Sequence, residues 1–284
     1  IDGDIDIAIA SLESIDGGAQ GVYLHASRAL SLGHIRITGH LDVDVDSGDL
    51  SLTGDQSANQ VRLLVDQGRI TQSDGKTLTA GGVSSVQALR DITLSRMVVQ
   101  QGDLRLVSDA GGLFDGSTAE GVDAENIQVV QGVLTELKGA VVGTRFMGGA
   151  LDVDAQSITD VLARTGGVFM GVTGAAQQRT LVSRLNAQAL GADVSVTVLN
   201  GGLQVDTLSV NDDLTLTVAG SPDMAFALLL GDTVVGGHAR LTAALGGLGQ
   251  TAQTSHLRVD GVDKLTTITA GGDVHLVNTG NDFQ

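Results

Sequence analysis

A chain of 284 residues with 33 acidic and 16 basic side chains carries a formal charge of −17, and it has one Pro, no Cys and no Trp. Such a surface repels nucleic acid and anionic membranes and removes both from the default partners. Five Phe and one Tyr among 284 residues are too few for an ordinary globular core, because aromatic residues bury the most area each.

The first predicted element is a corner followed by a strand, Gly3-Asp4-Ile5-Asp6-Ile7. The unit returns at Gly48-Asp49-Leu50-Ser51-Leu52, Arg90-Asp91-Ile92-Thr93-Leu94 and Gly102-Asp103-Leu104-Arg105-Leu106. His replaces Asp at Gly33-His34-Ile35-Arg36-Ile37, Gly39-His40-Leu41-Asp42-Val43 and Gly237-His238-Ala239-Arg240-Leu241. Alternating aliphatic and polar residues describe a strand with one buried face. Gly and Asn accept the left-handed backbone of a sharp corner, and Asp bonds back to nearby amides.

Between 111 and 149 the pattern blurs into Gly-rich pieces around Ile127-Gln128-Val129-Val130. Residues 177–190 fit either a helical turn or a strand leading into Gly191. The beat is clearest next: Leu190-Gly191-Ala192-Asp193-Val194-Ser195-Val196-Thr197-Val198 aligns with Val210-Asn211-Asp212-Asp213-Leu214-Thr215-Leu216-Thr217-Val218, twenty residues on. An apolar section over 219–255 interrupts it, and Ala270-Gly271-Gly272-Asp273-Val274-His275-Leu276-Val277 restores it. The longest apolar run, Met224 to Leu230, is far too short to cross a bilayer. No Asn-Gly or Asp-Gly hairpin recurs in step with the strands, so the corners suit a coil of parallel strands better than hairpins.

A period near twenty is the mark of a solenoid whose repeats stack on their neighbours. The expected fold is all-β, a right-handed parallel β-helix running as one continuous segment over 1–284, with irregular, loop-bearing sections at 111–149 and 219–255. About twenty residues per turn gives roughly fourteen turns, and strands about 4.8 Å apart give a rod on the order of 65 Å. The chain opens on Ile1 and closes on Asn281-Asp282-Phe283-Gln284 directly after a strand. Uncapped solenoid ends expose strand edges, so the segment reads as an interior piece of a longer protein.

These Gly-Asp-hydrophobic-x-hydrophobic rungs, the Gly-rich, Cys-free composition and the closing stretch from Ala270 to Phe283 resemble filamentous haemagglutinin-like exoproteins of two-partner secretion, and the passengers of large autotransporters. The resemblance implies export through an outer-membrane transporter and display on a Gram-negative cell surface. It further implies attachment to a glycan or protein receptor through other regions of the protein, cell aggregation or biofilm matrix formation, and lateral self-association of rods. The family's Asn-Pro-Asn secretion motifs are absent: the only proline lies in Ser221-Pro222-Asp223.

Candidate chemistry resolves mainly into turn and strand residues. Asp42, Asp44, Asp46 and Asp49 begin like a calcium loop, but the sixth and twelfth positions hold Ser47 and Thr53 instead of Gly and a carboxylate. With Val43 and Val45 between them, the acids read as the water-facing side of a strand, the remaining alternative being a weak cation site between stacked acidic rows. Asp74-Gly75-Lys76-Thr77 resembles the end of a phosphate loop but lacks its first Gly, since Ile70 stands there. His34, His40 and His238 read as corner caps, and Met97, Met147, Met170 and Met224 as core fillers. No Gly-x-Ser-x-Gly elbow occurs. A carbohydrate-cleaving or carbohydrate-binding β-helix is the rival reading; it needs clustered carboxylates with aromatic platforms, whereas Tyr23, Phe114, Phe146, Phe169, Phe226 and Phe283 are widely separated. The expectation is therefore a non-enzymatic shaft with no catalytic, cofactor-binding or metal-ligating residues, no nucleic-acid partner and no membrane insertion.

Overall fold

The computed structural model describes residues 5–7, 10–18, 20–118, 125–145, 149–250, 255–260, 264 and 266–278. The corner at Gly3-Asp4, the side chains of Phe146, Met147 and Phe283, and the final Asn281-Asp282 lie outside them. All the described secondary structure is strand, stacked in parallel as a solenoid of about 11 turns with about 23 residues per turn. At about 4.8 Å per turn the rod is on the order of 50 Å long, shorter than the twenty-residue beat predicts. The difference lies in the spacing. Leu24 pairs with Val43, 19 residues on, whereas Leu106 pairs with Leu137, 31 residues on. The widest turn is the stretch where the sequence pattern blurs.

Two parallel sheets wind along the coil. In the first, Leu24, Val43, Leu63, Val86, Leu106 and Leu137 occupy successive paired positions and each is buried. The period-two alternation is what permits this: with parallel register preserved from turn to turn, one face of every strand meets the same face of its neighbour. The stacked aliphatic columns form a single core cluster from Leu24 to Val259, and each such side chain contributes roughly 1.5–3 kcal/mol by leaving water.

The second sheet forks. The Leu30–Ile37 strand pairs through Leu30 and Leu32 with Leu50–Leu52, and through Ile35 and Arg36 with Gln56–Ala58. From there the two arms ascend separately, giving three strands per turn, until Val142 bridges Leu113 to Val168 and the Val168–Val172 strand also receives Leu151–Ala155. Gly33 sits at the fork, where a Cβ would lie 2.1 Å from the Glu13 carbonyl oxygen. Buried amides serve the bend between the arms. Gln72 accepts from the Ser95 and Arg96 amides and donates to the Arg96 carbonyl; Asn126 donates to the Leu94 and Ser95 carbonyls and accepts from the Asp152 amide. Each satisfies backbone groups that the separating strands leave unpaired.

Several expectations change at this level. Of the two readings of residues 177–190, the strand is the one present, as Arg179–Ala187. The apolar run near 224–230 leads into the strand Phe226–Val235, in which Ala227 to Leu230 are consecutively buried, so both faces are covered there and alternation is lost. His34 lies inside the Leu30–Ile37 strand and is not a corner cap. Asn211 does not adopt a positive φ, Gln177 being the one non-glycine among the described residues that does; its side chain instead bonds the Gln188 carbonyl of the preceding turn.

Candidate functional site

The corner aspartates are the commonest polar device of the coil. Gly48 and Gly102 hold φ of 92° and 98°, the left-handed backbone for which glycine carries no steric cost, and turn the chain so that the next residue's carboxylate points along the rod. Asp49 Oδ1 then accepts from the Arg69 amide at 3.1 Å, Asp91 from Gly112 at 3.0 Å, and Asp103 from Val133 at 2.9 Å. Asp193 accepts from the Asp213 amide at 3.0 Å, and Asp213 from His238 at 2.7 Å. The partner is thus the corner of the following turn rather than an adjacent residue, a charge-assisted bond repeated up the coil. His238 stands where an Asp would, and donates to Asp213 through its backbone amide.

The acidic strand near the start is largely paired. Val43 and Val45 are fully buried and the Asp residues between and beside them face outward. Arg62 bonds Asp42 at 2.5 Å and approaches Asp44 at 3.8 Å, while His25 reaches Asp46 at 3.0 Å. Asp44 and Asp46 stand with Asp66 of the next turn so that one oxygen of each lies within 4.8 Å of the others. Burial, only partly offset by Arg62, raises the Asp44 carboxyl above its usual value. Asp49, the fourth acid of that run, is a corner residue and joins no such group.

A second network had no signal in the sequence, because the residues of its register, Arg105–Glu136–Asp160–Arg184, lie 31, 24 and 24 residues apart and meet only across the turns. Arg105 Nε bonds Glu136 at 2.6 Å and Lys138 Nζ bonds both Glu136 and Asp160 at 2.8 Å. Arg184 closes on Asp160 with two bonds, at 2.7 and 2.5 Å. Burial opposes ionisation of Asp160, but the bonds from Arg184 and Lys138 outweigh it and hold the carboxyl below its ordinary value. The Lys138 bond likewise lowers Glu136. Burial works against the Lys138 ammonium, yet its bonds to Asp160 and Glu136 leave it above the usual lysine value. The alternating charges straddle the 31-residue turn and clasp its far side to the regular coil beyond.

An open pocket of about 540 Å³ lies on the outer face of the second sheet against the segment around Thr144 and Arg145. Its floor is two paired columns, Asp152–Gly171–Thr197 and Phe169–Ser195–Thr215. A Cβ on Gly171 would stand 1.9 Å from Asp152 Oδ1, so the missing side chain leaves the carboxylate room to lie across the strand. Small residues at 171 and 195 beside Phe169 make the depression. Arg145 forms the wall: its guanidinium stands 5.7 Å from the Phe169 ring centroid and pairs with Asp193. Asp213 completes the acidic side.

The remaining sequence candidates are placed simply. Asp74-Gly75 is a turn, closed by the Lys76 amide on Ser73 O, and Asp74 accepts from both the amide and hydroxyl of Thr118; these bonds lower its carboxyl. Met97 and Met170 are core residues. His40 opens the His40–Val45 strand. Phe226 meets the His275 ring edge-on at 5.7 Å, while Tyr23 is surface-exposed.

Compared with known proteins, residues 223–284 match a family described as repeats of unknown function (DUF5649). No curated protein and no solved structure matches the chain. Repeat family and parallel solenoid agree with each other: the chain is a repeat-rich β-helix protein.

Proposed function

We propose that the chain is a shaft segment of a secreted or surface-displayed bacterial filamentous adhesin. The observation that carries this reading is the corner ladder: the same Asp-to-amide bond joins each turn to the next at five described corners. A coil propagated by one repeated bond, over one uninterrupted aliphatic core, suits a part whose work is to extend and bear load. Its role is mechanical and multivalent: many rods hold receptor-binding regions away from the cell, and linked binding events gain avidity from proximity. The acidic surface, −17 over 284 residues, keeps such rods soluble at close spacing. In this reading the protein passes an outer-membrane transporter and acts at the Gram-negative surface, without catalysis.

Electron microscopy of the native protein tests the proposal. Thin fibres whose length changes in proportion to the number of turns deleted are expected, with loss of cell attachment or aggregation when the shaft is shortened. Compact particles, or release of reducing sugar ends or unsaturated uronates by the purified protein, would overturn it.

A further inference from the structure

One corner carries a reactive dipeptide in place of an aspartate. Asn200-Gly201 is the single Asn-Gly pair in the sequence, and it joins the strands Val194–Val198 and Gly202–Val210. Asn200 is exposed, and its side chain has no hydrogen-bond partner among the described residues. Asn211, equally exposed, is held by the Gln188 carbonyl. Gly201 has a φ of 72° and no Cβ to screen its nitrogen. In its isolated bridge to Gly220, the Gly220 amide donates to the Gly201 carbonyl at 3.0 Å, whereas the Gly201 amide makes no bond of that quality among the described residues. An unheld side-chain amide thus precedes an unshielded backbone amide, the pair that cyclises most readily.

We propose that Asn200 is a site of spontaneous deamidation and that its isoaspartate product loosens this corner. The Gly201 nitrogen gives up its proton and bonds Asn200 Cγ; the Cγ–Nδ2 bond breaks and ammonia leaves, closing a succinimide. Water then opens the ring. Addition at Cγ yields Asp, and addition at the α-carbonyl yields isoaspartate, whose backbone is one atom longer. The other asparagines whose side chains are described are protected. Asn126 is buried and bonded, Asn186 lies inside the Arg179–Ala187 strand, and Gln60 and Asp212 follow Asn59 and Asn211 with side chains that crowd the attacking nitrogen. The corner has no slack for an added atom. A Cβ on Gly201 would lie 2.2 Å from the Ala175 carbonyl oxygen and 2.4 Å from that of Gln178. On either side, the Asn200 amide donates to Thr173 at 2.9 Å and the Gly202 amide to Gln178 at 2.8 Å. The inference does not rest on the shaft reading, since it concerns a bond of the chain itself.

Incubation of the full chain in mildly acidic and mildly alkaline buffer, sampled over time, tests it. Peptide mass mapping follows each asparagine, and labelling by an isoaspartyl methyltransferase reports isoaspartate. First-order conversion of Asn200 is expected, faster in alkali because the attacking amide must lose its proton, with Asn59 and Asn211 intact in the same samples. Asn200→Gln, which would have to close a larger ring, should lose the conversion. In the isoaspartate form, separated by chromatography, the Gly202 and Gly220 amides should exchange with solvent roughly three- to tenfold faster, the worth of one hydrogen bond. Asn200→Asp carries the new charge without the added backbone atom and should exchange as the parent does. Circular dichroism confirms the fold of both variants. The proposal fails if Asn200 stays intact, if it converts no faster than Asn59 or Asn211, or if its rate ignores pH. Equal exchange in the isoaspartate form and in Asn200→Asp would overturn the loosening.

Discussion

Replacing Asp160 isolates the charge network from the rest of the coil. Its side chain is 5 % exposed and contacts Arg184, itself 55 % exposed, and Lys138, 18 % exposed. Hydrogen bonds to charged groups are worth roughly 1.5–3 kcal/mol each. Arg184 can rehydrate, which places its share at the low end, and Lys138 keeps Glu136 at 2.8 Å. Asp160→Ala should therefore cost about 3 kcal/mol and Asp160→Asn about 2 kcal/mol. Stacked repeats need not unfold in one step, so amide hydrogen exchange is the appropriate assay. Amides of the strands Leu134–Gly139, Ser157–Ala163 and Arg179–Ala187 should exchange roughly 30- to 150-fold faster, with Leu30–Ile37 unchanged. Since folding lowers the Asp160 carboxyl below its ordinary value of 3.8, the stability it adds is complete above that value and drains away as pH falls through the folded one. The gap between parent and Asp160→Asn should hold constant at neutral pH and close in strong acid. A gap that persists in acid, or faster exchange spread evenly along the rod, would refute the assignment of this stability to the ion network.

Three further outcomes follow from the packing. Gly68→Ala should destabilise the coil by about 2–3 kcal/mol, because its Cβ would lie 1.8 Å from the Gly48 carbonyl oxygen; Gly18→Ala, with nothing within 4 Å, is the neutral control in urea unfolding. Asp103→Ala should cost about 1 kcal/mol and selectively speed exchange of the Val133 amide that it accepts, an effect that Asp103→Asn largely spares. Leu216→Ala, at a fully buried position, should cost about 2–5 kcal/mol, read from the denaturant midpoint.

Much of the architecture was legible because a parallel coil writes its geometry into the sequence. Val194, Val196 and Val198 stack on Leu214, Leu216 and Val218 in the alignment read directly from the repeated phrase. Corner glycines at 48 and 102 were legible for the same local reason. What escaped depends on distance along the coil. A carboxylate at Asp103 gives no sign that its partner is Val133 rather than a neighbour, since the choice is made by the length of the intervening turn. Gln72 and Asn126 look like ordinary polar residues until the sheet forks around them. The pocket needed Gly171, Ser195 and Arg145 to meet from three turns, though the irregular stretch 111–149 did mark where one wall would come from. The beat itself ran short, at twenty residues instead of about 23, because the best-matched repeats are among the shorter turns.

The corner ladder has a consequence for how such a chain can change in length. Each of these corner aspartates finds its donor amide one full turn ahead, as Asp49 finds that of Arg69 and Asp193 that of Asp213. Removal or duplication of one complete turn leaves every surviving carboxylate facing an equivalent amide, whereas loss of a few residues in mid-turn strands both ends of a bond and slips the register of a whole sheet. Genetic gain and loss are thereby tolerated in whole-turn units. A protein of this kind can be lengthened or shortened like a chain of identical links, its span tuned by recombination while the joint between links stays the same.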